Sequence, residues 1–397
     1  MPDITLIITI SIIIVLSPFV SNITRVPIAV IEILLGVLGA YFGLLGKNEY
    51  FSIVAKVGFL FLMFIAGLEV NLKEFANMKR DFLVRAGIYF TTLYALAIIA
   101  YTIFNLSPIY IVILPIFSLG MIMALLKDYG KHQPWLNLAL TIGIAGEVIS
   151  IIAITILTGA LTFGFGFKFI EALFMMGLFV VATITFFKFS KTMFWWFPEL
   201  KQAIIPFQDQ KDQDIRFSMA LFFIMVALAL WLKIDMVLGA FFAGIFLSSF
   251  FRHKTSLYDK LLSLCFGFFA PIFFVYVGST LDLRTLFMPI VLKKALLIIL
   301  LLVGMRLIAS FIAFYGALKL KNTLLFALSD SMPLMFMVAV ATIGMTANAI
   351  SKLEYFSIIL ASMMDAIIIM TTVKIIFNFF EMKKKREQQK PPISRTA

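Results

Sequence analysis

The stretch Leu136–Leu161, LNLALTIGIAGEVISIIAITILTGAL, carries a single charged residue, Glu147. An apolar run of this length can cross a bilayer as one helix. A carboxylate near the bilayer centre costs about 3 kcal/mol on insertion scales. Glu147 therefore predicts an ion or proton site within a membrane protein. The alternative is a protonated glutamate that hydrogen-bonds a neighbouring helix and serves structure alone.

The whole chain has the composition of an all-α polytopic membrane protein. Of its 397 residues, 62% are hydrophobic and 14% are charged, whereas soluble domains have about 45–50% and about 25%. A β-barrel is excluded because its strands would alternate in short segments. One cysteine and two histidines make disulfides and a structural zinc or haem site unexpected. We expect no cofactor besides the transported ions.

Thirteen transmembrane helices joined by short loops are predicted from the apolar runs. The first has no basic flank or small-residue cleavage site and is interpreted as a retained helix. The predicted spans cover residues 3–20, 26–45, 51–69, 82–104, 108–127, 136–162, 167–187, 215–232, 236–251, 261–280, 287–315, 322–344 and 353–380.

Successive loops are alternately rich and poor in lysine and arginine. One side of the predicted membrane collects most of them, including the tail that begins at Lys383. The positive-inside rule then places the C-terminus in the cytoplasm and, with an odd number of spans, the N-terminus outside. The net charge of +12 is thus a topology signal, with some contact of the tail to lipid, and no nucleic-acid partner is expected. The chain has no Walker or GxGxxG motif, so no nucleotide partner is expected either.

The spans form two inverted six-helix repeats, spans 1–6 and 8–13, with span 7 as connector. Spans 5 and 12 hold the same place in each repeat, and both contain helix-breaking residues. Span 5 contains Pro115 followed by Ser118-Leu119-Gly120, and span 12 contains Ser329-Asp330-Ser331-Met332-Pro333. Inverted repeats place substrate near the midplane, beside such broken helices.

Charged residues within the spans also correspond between the repeats. Glu147 lies in span 6 and Asp365 in its counterpart, span 13, while Arg306 lies in the middle of span 11. Because arginine keeps its charge in proteins, Arg306 is expected to pair with a carboxylate. Glu147 is the first candidate for that partner, and Asp330 and Asp365 are the alternatives.

A carboxylate in a water-lined cavity can hold either a proton or a cation. If both compete for Glu147, binding one expels the other, and the protein exchanges them across the membrane. With Arg306 permanently charged, one proton per cation is expected, which makes the exchange electroneutral. Na⁺ or K⁺ needs further oxygens, and the candidates are Ser118, Thr141, Ser150, Asp330, Ser331 and carbonyls freed at the helix breaks.

Four motifs in chain order resemble the monovalent cation:proton antiporter-2 family, the Kef-type proteins and bacterial Na⁺/H⁺ exchangers. They are RVPIAVIEILLG at 25–36, GFLFLMFIAGLE at 58–69, LGAFFAG at 238–244 and PIFFVYVGSTLDL at 271–283. The resemblance covers nearly the whole chain. It implies a 13-helix inverted-repeat fold with crossed broken helices, in a homodimer of the bacterial inner membrane that serves pH homeostasis.

The resemblance also implies a division of the chain into domains. Residues 1–80 and 215–286 would form a dimerisation domain, 81–166 and 287–380 the ion-transport core, 167–214 a connecting helix and cytoplasmic linker, and 381–397 a cytoplasmic tail.

The family's site residues carry over only in part. Glu147 matches the essential acid of the sixth helix, but Gly146 replaces the polar residue that usually precedes it. Arg306 matches a basic residue of the eleventh helix. The twelfth helix keeps Ser329 but loses the family's glutamate, and the usual Ser/Thr cluster of the fifth helix is reduced to Ser118. Three acids within the family motifs, Glu32, Glu69 and Asp282, are interpreted as structural.

The leading hypothesis is a secondary active Na⁺ or K⁺/proton antiporter. The alternatives are a Kef-type cation channel or efflux pathway and a transport-inactive relative, the latter prompted by the reduced site. An enzyme is not expected, because the sequence offers no nucleophile–base constellation.

Overall fold

The computed structural model describes residues 2–46, 48–70, 80–130, 132–164, 166–199, 212–232, 234–251 and 255–388, and these form helices and their connections. The helices are α1 Pro2–Thr24, α2 Ile28–Tyr41, α3 Glu49–Glu69, α4 Arg80–Ile103, α5 Tyr110–Ile113, α6 Leu119–Tyr129, α7 Pro134–Phe163, α8 Phe167–Trp196, α9 Gln213–Trp231, α10 Met236–Phe251, α11 Thr255–Leu264, α12 Ala270–Ser279, α13 Leu283–Leu286, α14 Pro289–Asp330, α15 Leu334–Thr346 and α16 Lys352–Gln388. A π-helical turn, Cys265–Phe269, joins α11 to α12.

The described residues confirm a helical, multi-pass membrane protein. Nine helices in this part of the chain are long and apolar enough to cross a bilayer, and α2 and α10 are shorter apolar helices. The long α14 has two arms, because Lys319 adopts a non-helical backbone with φ 60° and ψ 174°. The number of thirteen spans stays a prediction.

Both predicted interruptions are present. The fifth predicted span opens between α5, which ends at Ile113, and α6, which begins at Leu119. The twelfth opens between α14 and α15, over residues 331–333. Pro115 and Pro333 lie in these openings. Proline has no backbone N–H, so it cannot donate the hydrogen bond that a helix would form at its position. The breaks therefore leave backbone carbonyls without helical donors.

The helices form two packed groups. In the first group α3 packs against α10 and α12, α2 against α12 and α1, and α9 against α10. In the second group α14 packs against α4, α7 and α16, α15 against α16, and α6 against α7. The groups meet where α7 contacts α10, and also where Thr280, directly after α12, bonds the hydroxyl of Tyr355 in α16. Both helix breaks belong to the second group.

Paired glycines bring helices of the first group into close contact. A Cβ added to Gly36 of α2 would lie 3.1 Å from the Cα of Gly278 in α12. A Cβ added to Gly67 of α3 would lie 3.2 Å from the Cα of Gly244 in α10. Small residues at such crossings let backbones approach, which is a main source of packing energy between membrane helices.

We expect Gly67→Ala to destabilise the protein by about 1–3 kcal/mol, since overpacking of a tight contact has that cost. The new methyl group would lie 2.9 Å from the carbonyl carbon of Phe241, which is backbone and cannot rotate away. Thermal unfolding in detergent measures the effect. The matched control is Gly87→Ala in α4, where an added Cβ has no neighbour within 4 Å. Equal melting temperatures for the two variants would contradict this account of the crossing.

Candidate functional site

Glu147 lies near the middle of α7 and is buried, with 2% of its surface exposed. Its Oε1 accepts a hydrogen bond of 3.4 Å from the backbone N–H of Leu119, the first residue of α6. Its Oε2 is buried without a partner among the described residues. The carboxyl group therefore sits at the N-terminus of a half-helix, the end that attracts negative charge. One of its oxygens is left for a proton or a cation, and an unsatisfied buried oxygen calls for such an explanation.

Ser150, one turn further along α7, fixes the first helix break beside Glu147. Its Oγ accepts a hydrogen bond of 2.9 Å from the N–H of Phe117 and donates one of 2.7 Å to the carbonyl of Gly146. Phe117 lies within the break, so this serine ties the break to α7. The structure thus gives Ser150 a positioning role for the segment that leads into α6.

Gly146 is a glycine because the Phe117 ring occupies the space that a side chain would need. A Cβ on Gly146 would overlap the Cγ, Cδ1 and Cδ2 atoms of that ring. The polar side chain that precedes the essential acid in the family is thus replaced by an aromatic ring from the break. This substitution leaves Glu147 without a polar neighbour at the preceding position.

The two other hydroxyl candidates near Glu147 differ in availability. Ser118 immediately precedes α6, is 5% exposed and does not cap the helix with its side chain. Thr141 donates its hydroxyl to the carbonyl of Asn137 at 2.8 Å, within its own helix. Ser118 is therefore the hydroxyl of the pair that is free to serve a ligand beside Leu119.

Glu69, which is interpreted from the sequence as structural, lies within electrostatic reach of Glu147. It ends α3, in the first helix group, and its charge acts on Glu147 in the second group. Two carboxyl groups from different helix groups are thus close enough for their charges to interact. The available signal was a carboxylate at the end of the apolar helix 49–69, but only the packing of the groups shows what that carboxylate faces.

The hydrogen bonds of Arg306 differ from the prediction that it pairs with a carboxylate. Its Nε donates to the carbonyl of Asp330 at 2.8 Å. Its Nη1 donates to the carbonyls of Leu114 at 2.8 Å and Leu302 at 3.3 Å, and its Nη2 donates to the carbonyl of Ile116. Within the described chain, the ion pairs closer than 4 Å do not include Arg306.

The physical reason is that the helix breaks supply the acceptors. Carbonyls at a broken helix have no intrahelical donor, and within a membrane they must be satisfied by protein. A guanidinium has five N–H donors in a fixed plane. Arg306 also lies 5.4 Å above the Phe117 ring. We call this set of contacts the Arg306 clamp: Arg306 with the carbonyls of Leu114, Ile116 and Asp330. It joins the two helix breaks.

Asp330 and Ser331 lie with the clamp. Asp330 Oδ2 accepts a hydrogen bond of 2.5 Å from the hydroxyl of Tyr89 in α4, and Oδ1 is buried without a partner in the described residues. Ser331 Oγ donates to the carbonyl of Leu328 at 2.8 Å. No hydrogen bond between the described residues joins either side chain to Glu147. Nothing in the sequence indicated that Tyr89, in the apolar α4, would bond Asp330.

Asp365 is buried in α16, with 1% of its surface exposed. Neither of its carboxyl oxygens has a hydrogen-bond partner within the described part of the chain. The charge of Arg306 acts on it. Asp365 is thus close enough to feel the charge of Arg306, whereas no hydrogen bond between described residues joins it to Glu147.

A further polar contact joins the two helix groups away from Glu147. Asp235, in the connection between α9 and α10, accepts a hydrogen bond of 3.0 Å from the N–H of Val237. Its carboxyl group lies beside the hydroxyl of Thr158 in α7 and the charge of Lys56 in α3, and burial raises its pKa. The carboxyl group of Asp235 therefore links the connection between α9 and α10 to α7, a helix of the second group.

Comparison with known proteins supports the fold and the family. The solved structure of "the sodium proton antiporter MjNhaP1 from Methanocaldococcus jannaschii at pH 8" superposes with a TM-score of 0.66 at 16% sequence identity, covering 94% of this chain and 96% of the other. This likeness shows the fold alone. It confirms the predicted all-α membrane architecture.

Relatives at the level of sequence carry antiporter names. "Putative Na(+)/H(+) antiporter YjbQ" of Bacillus subtilis is 27% identical over 92% of this chain and 60% of its own length. "Probable Na(+)/H(+) antiporter 3" of Methanocaldococcus jannaschii is 25% identical over 86% of this chain and 88% of its own. The chain thus spans about 60% of the length of the Bacillus protein.

The family model described as "Sodium/hydrogen exchanger, transmembrane" matches residues 8–379. This match confirms the expected relation to monovalent cation:proton antiporters. It corrects the finer assignment to the antiporter-2, Kef-type branch, since the matching family model describes sodium/hydrogen exchangers and the relatives above are named Na⁺/H⁺ antiporters. With nearly its whole length matched, this chain belongs to the sodium/hydrogen exchanger family of membrane transporters.

Proposed function

We propose that the chain is a secondary active antiporter that exchanges Na⁺ or K⁺ for protons, with Glu147 as the exchanging group. The observation that carries this proposal is the buried Oε2 of Glu147, which has no partner among the described residues. The same carboxyl group lies at the N-terminus of α6 through its contact with Leu119. A carboxylate held there can take one proton or one monovalent cation, and neither can enter while the other is bound.

The oxygens around a bound cation would come from both helix groups. Na⁺ and K⁺ prefer oxygen ligands, and Glu147 supplies the first. Ser118 supplies a hydroxyl that is not used for capping α6, and Glu69 brings a second carboxyl group from α3. We assign Asp330 and Ser331 to the Arg306 clamp instead, because their side chains bond Tyr89 and Leu328.

The Arg306 clamp would keep the core rigid through the cycle. Its guanidinium holds carbonyls from both breaks, so both half-helices move together. Because its positive charge is permanent, it does not exchange. One proton would leave Glu147 for each cation that binds, which makes the exchange electroneutral.

Alternating access would come from motion between the two helix groups. We propose that residues 1–80 and 215–286 form a scaffold for a homodimer and that 81–166 and 287–380 form the moving core. The Glu69–Glu147 pair and the Asp235–Thr158 contact both lie between these parts. Contacts of this kind must separate and re-form when a core moves past its scaffold.

We further propose a place in the bacterial inner membrane, with the N-terminus outside and the C-terminus in the cytoplasm. The distribution of lysine and arginine over the loops supports that orientation. A role in pH homeostasis is what the exchange of protons for cations would provide.

The test uses purified protein in proteoliposomes with an imposed pH gradient and an internal pH dye. Na⁺, K⁺ or Li⁺ is added outside, with and without a clamp on the membrane potential. We expect one of these cations to drive proton movement at a rate that the clamp leaves unchanged. Current that persists without a proton gradient would favour the cation channel. No response to any cation from acidic to alkaline pH would favour a transport-inactive relative.

A further inference from the structure

The Arg306 clamp leaves one donor of its guanidinium unused. Of the five N–H groups of an arginine, Nε and one N–H of Nη2 each bond one carbonyl, and Nη1 bonds two. The second N–H of Nη2 has no acceptor among the described residues. The guanidinium of Arg306 is thus a buried positive charge with one N–H group left to bond, in a helix that packs against α16.

Asp365 is the matching group on α16. It is 1% exposed, and both of its carboxyl oxygens lack a partner in the described residues. The helices that pack most closely against α16 are α13, α14 and α15. α6, which carries Lys127 and Asp128, also touches α16 where Tyr129 meets Phe377. α16 itself carries Lys352, Glu354 and Lys374 and, beyond residue 380, Glu381, Lys383, Lys384, Lys385, Arg386 and Glu387. α15 carries no charged side chain, and α13 carries Arg284. α14 carries Arg306, Asp330 and four lysines at 293, 294, 319 and 321. Of all these charges, that of Arg306 is the one that acts on Asp365.

The two protonation states of Asp365 have different consequences for the clamp. A neutral Asp365 leaves the guanidinium on its carbonyls, which is the arrangement in the structure. An ionised Asp365 would attract the guanidinium, because two opposite full charges attract one another more strongly within a protein than in water. The carbonyls of Leu114 and Ile116, in the break that leads to Ser118 and α6, would then lose their donor.

We propose that Asp365 is a second proton-binding site, which is not part of the exchange but controls it through the Arg306 clamp. While Asp365 carries its proton, the clamp holds the first break and the contacts of Glu147 in the arrangement described above. When the proton leaves, Arg306 turns toward Asp365 and the break loosens. Asp365 is thus a pH sensor for the transport site. The control of transport by Asp365 rests on the proposed antiport activity. The binding of a proton by Asp365 does not depend on that activity.

The proton-binding test uses full-length protein in which Glu147→Gln removes the exchanging carboxyl group. Infrared difference spectra are recorded during a pH titration, with and without Asp365→Asn in addition. We expect the carboxyl C=O stretching band of a buried acid to disappear as the pH rises, and to be missing from the double variant. Identical titration spectra for the two proteins would overturn the proposal. The result does not depend on transport, so it stands even if the protein moves no ions.

The control by Asp365 is tested by the pH profile of exchange in proteoliposomes. We expect Asp365→Asn to shift the profile by about one pH unit, a typical scale for an environmental effect on a titrating group, with an unchanged ratio of cations to protons. The control is Ser362→Ala, which removes a buried hydroxyl of the same helix that donates to the carbonyl of Ile359 at 2.7 Å. A profile identical to that of the wild type would overturn the proposal. A changed ratio would also overturn it, because the proton of Asp365 would then be transported.

Discussion

Glu147→Gln is expected to reduce cation-driven proton movement to the rate of protein-free liposomes. The amide keeps the size of the side chain and an oxygen for the N–H of Leu119, which the wild-type carboxyl group accepts at 3.4 Å. It cannot carry a proton at working pH and cannot offer a negative charge to a cation. Exchange is therefore lost while the fold is kept. Proteoliposome transport and thermal unfolding of the same preparation measure the two effects.

Two control variants make this result specific. Glu147→Asp keeps a carboxyl group on a shorter side chain, so some exchange should return with an altered cation affinity. Glu32→Gln removes another buried carboxyl group, 3% exposed in α2, and should leave exchange intact. Full exchange by Glu147→Gln would refute Glu147 as the exchanging group. Equal loss in Glu32→Gln would mean that any buried charge change disables the protein.

Arg306→Met is expected to cause the largest loss of stability of any single substitution in the core. It leaves the carbonyls of Leu114, Ile116 and Asp330 without their donor. Each buried polar group left unsatisfied costs about 1–3 kcal/mol, so the three together approach the whole stability of a typical domain. We expect little folded protein, as measured by size-exclusion chromatography in detergent and by thermal unfolding of any remainder.

The matched control for this prediction is Arg85→Met in α4. Arg85 also donates to a backbone carbonyl, that of Ala313 at 3.2 Å, but this is its single hydrogen bond to the described residues, and it lies in a partly buried place. The Arg85→Met substitution should therefore reduce the stability of the protein much less than Arg306→Met does. Arg306→Lys keeps the positive charge, with three donors on one atom, and its melting temperature should lie between those of Arg306→Met and Arg85→Met. Similar melting temperatures for Arg306→Met and Arg85→Met would show that the clamp does not hold the breaks.

The two predictions differ in what they leave intact, which separates the roles of the residues. Glu147→Gln should keep the melting temperature and lose exchange, since one of its oxygens has no partner to lose. Arg306→Met should lose both, because its contacts join two helix breaks. A variant that lost exchange with unchanged stability at Arg306 would place the arginine in the ion site itself.

The sequence by itself determined the features that depend on composition and on local backbone chemistry. Long apolar runs determined the membrane helices, since a bilayer demands about 20 apolar residues per span. Pro115 and Pro333 determined both helix breaks, because a proline lacks the donor that a helix needs. The isolation of Glu147 among apolar residues identified it as the leading candidate for the ion site.

Tertiary structure alone decided which groups meet across the packing. Arg306 was expected to need a carboxylate, but its hydrogen bonds among the described residues go to backbone carbonyls, three of them at the helix breaks. The loss of a polar side chain at Gly146 is explained by the Phe117 ring, 29 positions earlier in the chain. The charge of Glu69 reaches Glu147 only because two helix groups pack together. Hydrogen bonds and electrostatic contacts depend on distances in space, and those distances are set by helix packing and not by spacing along the chain.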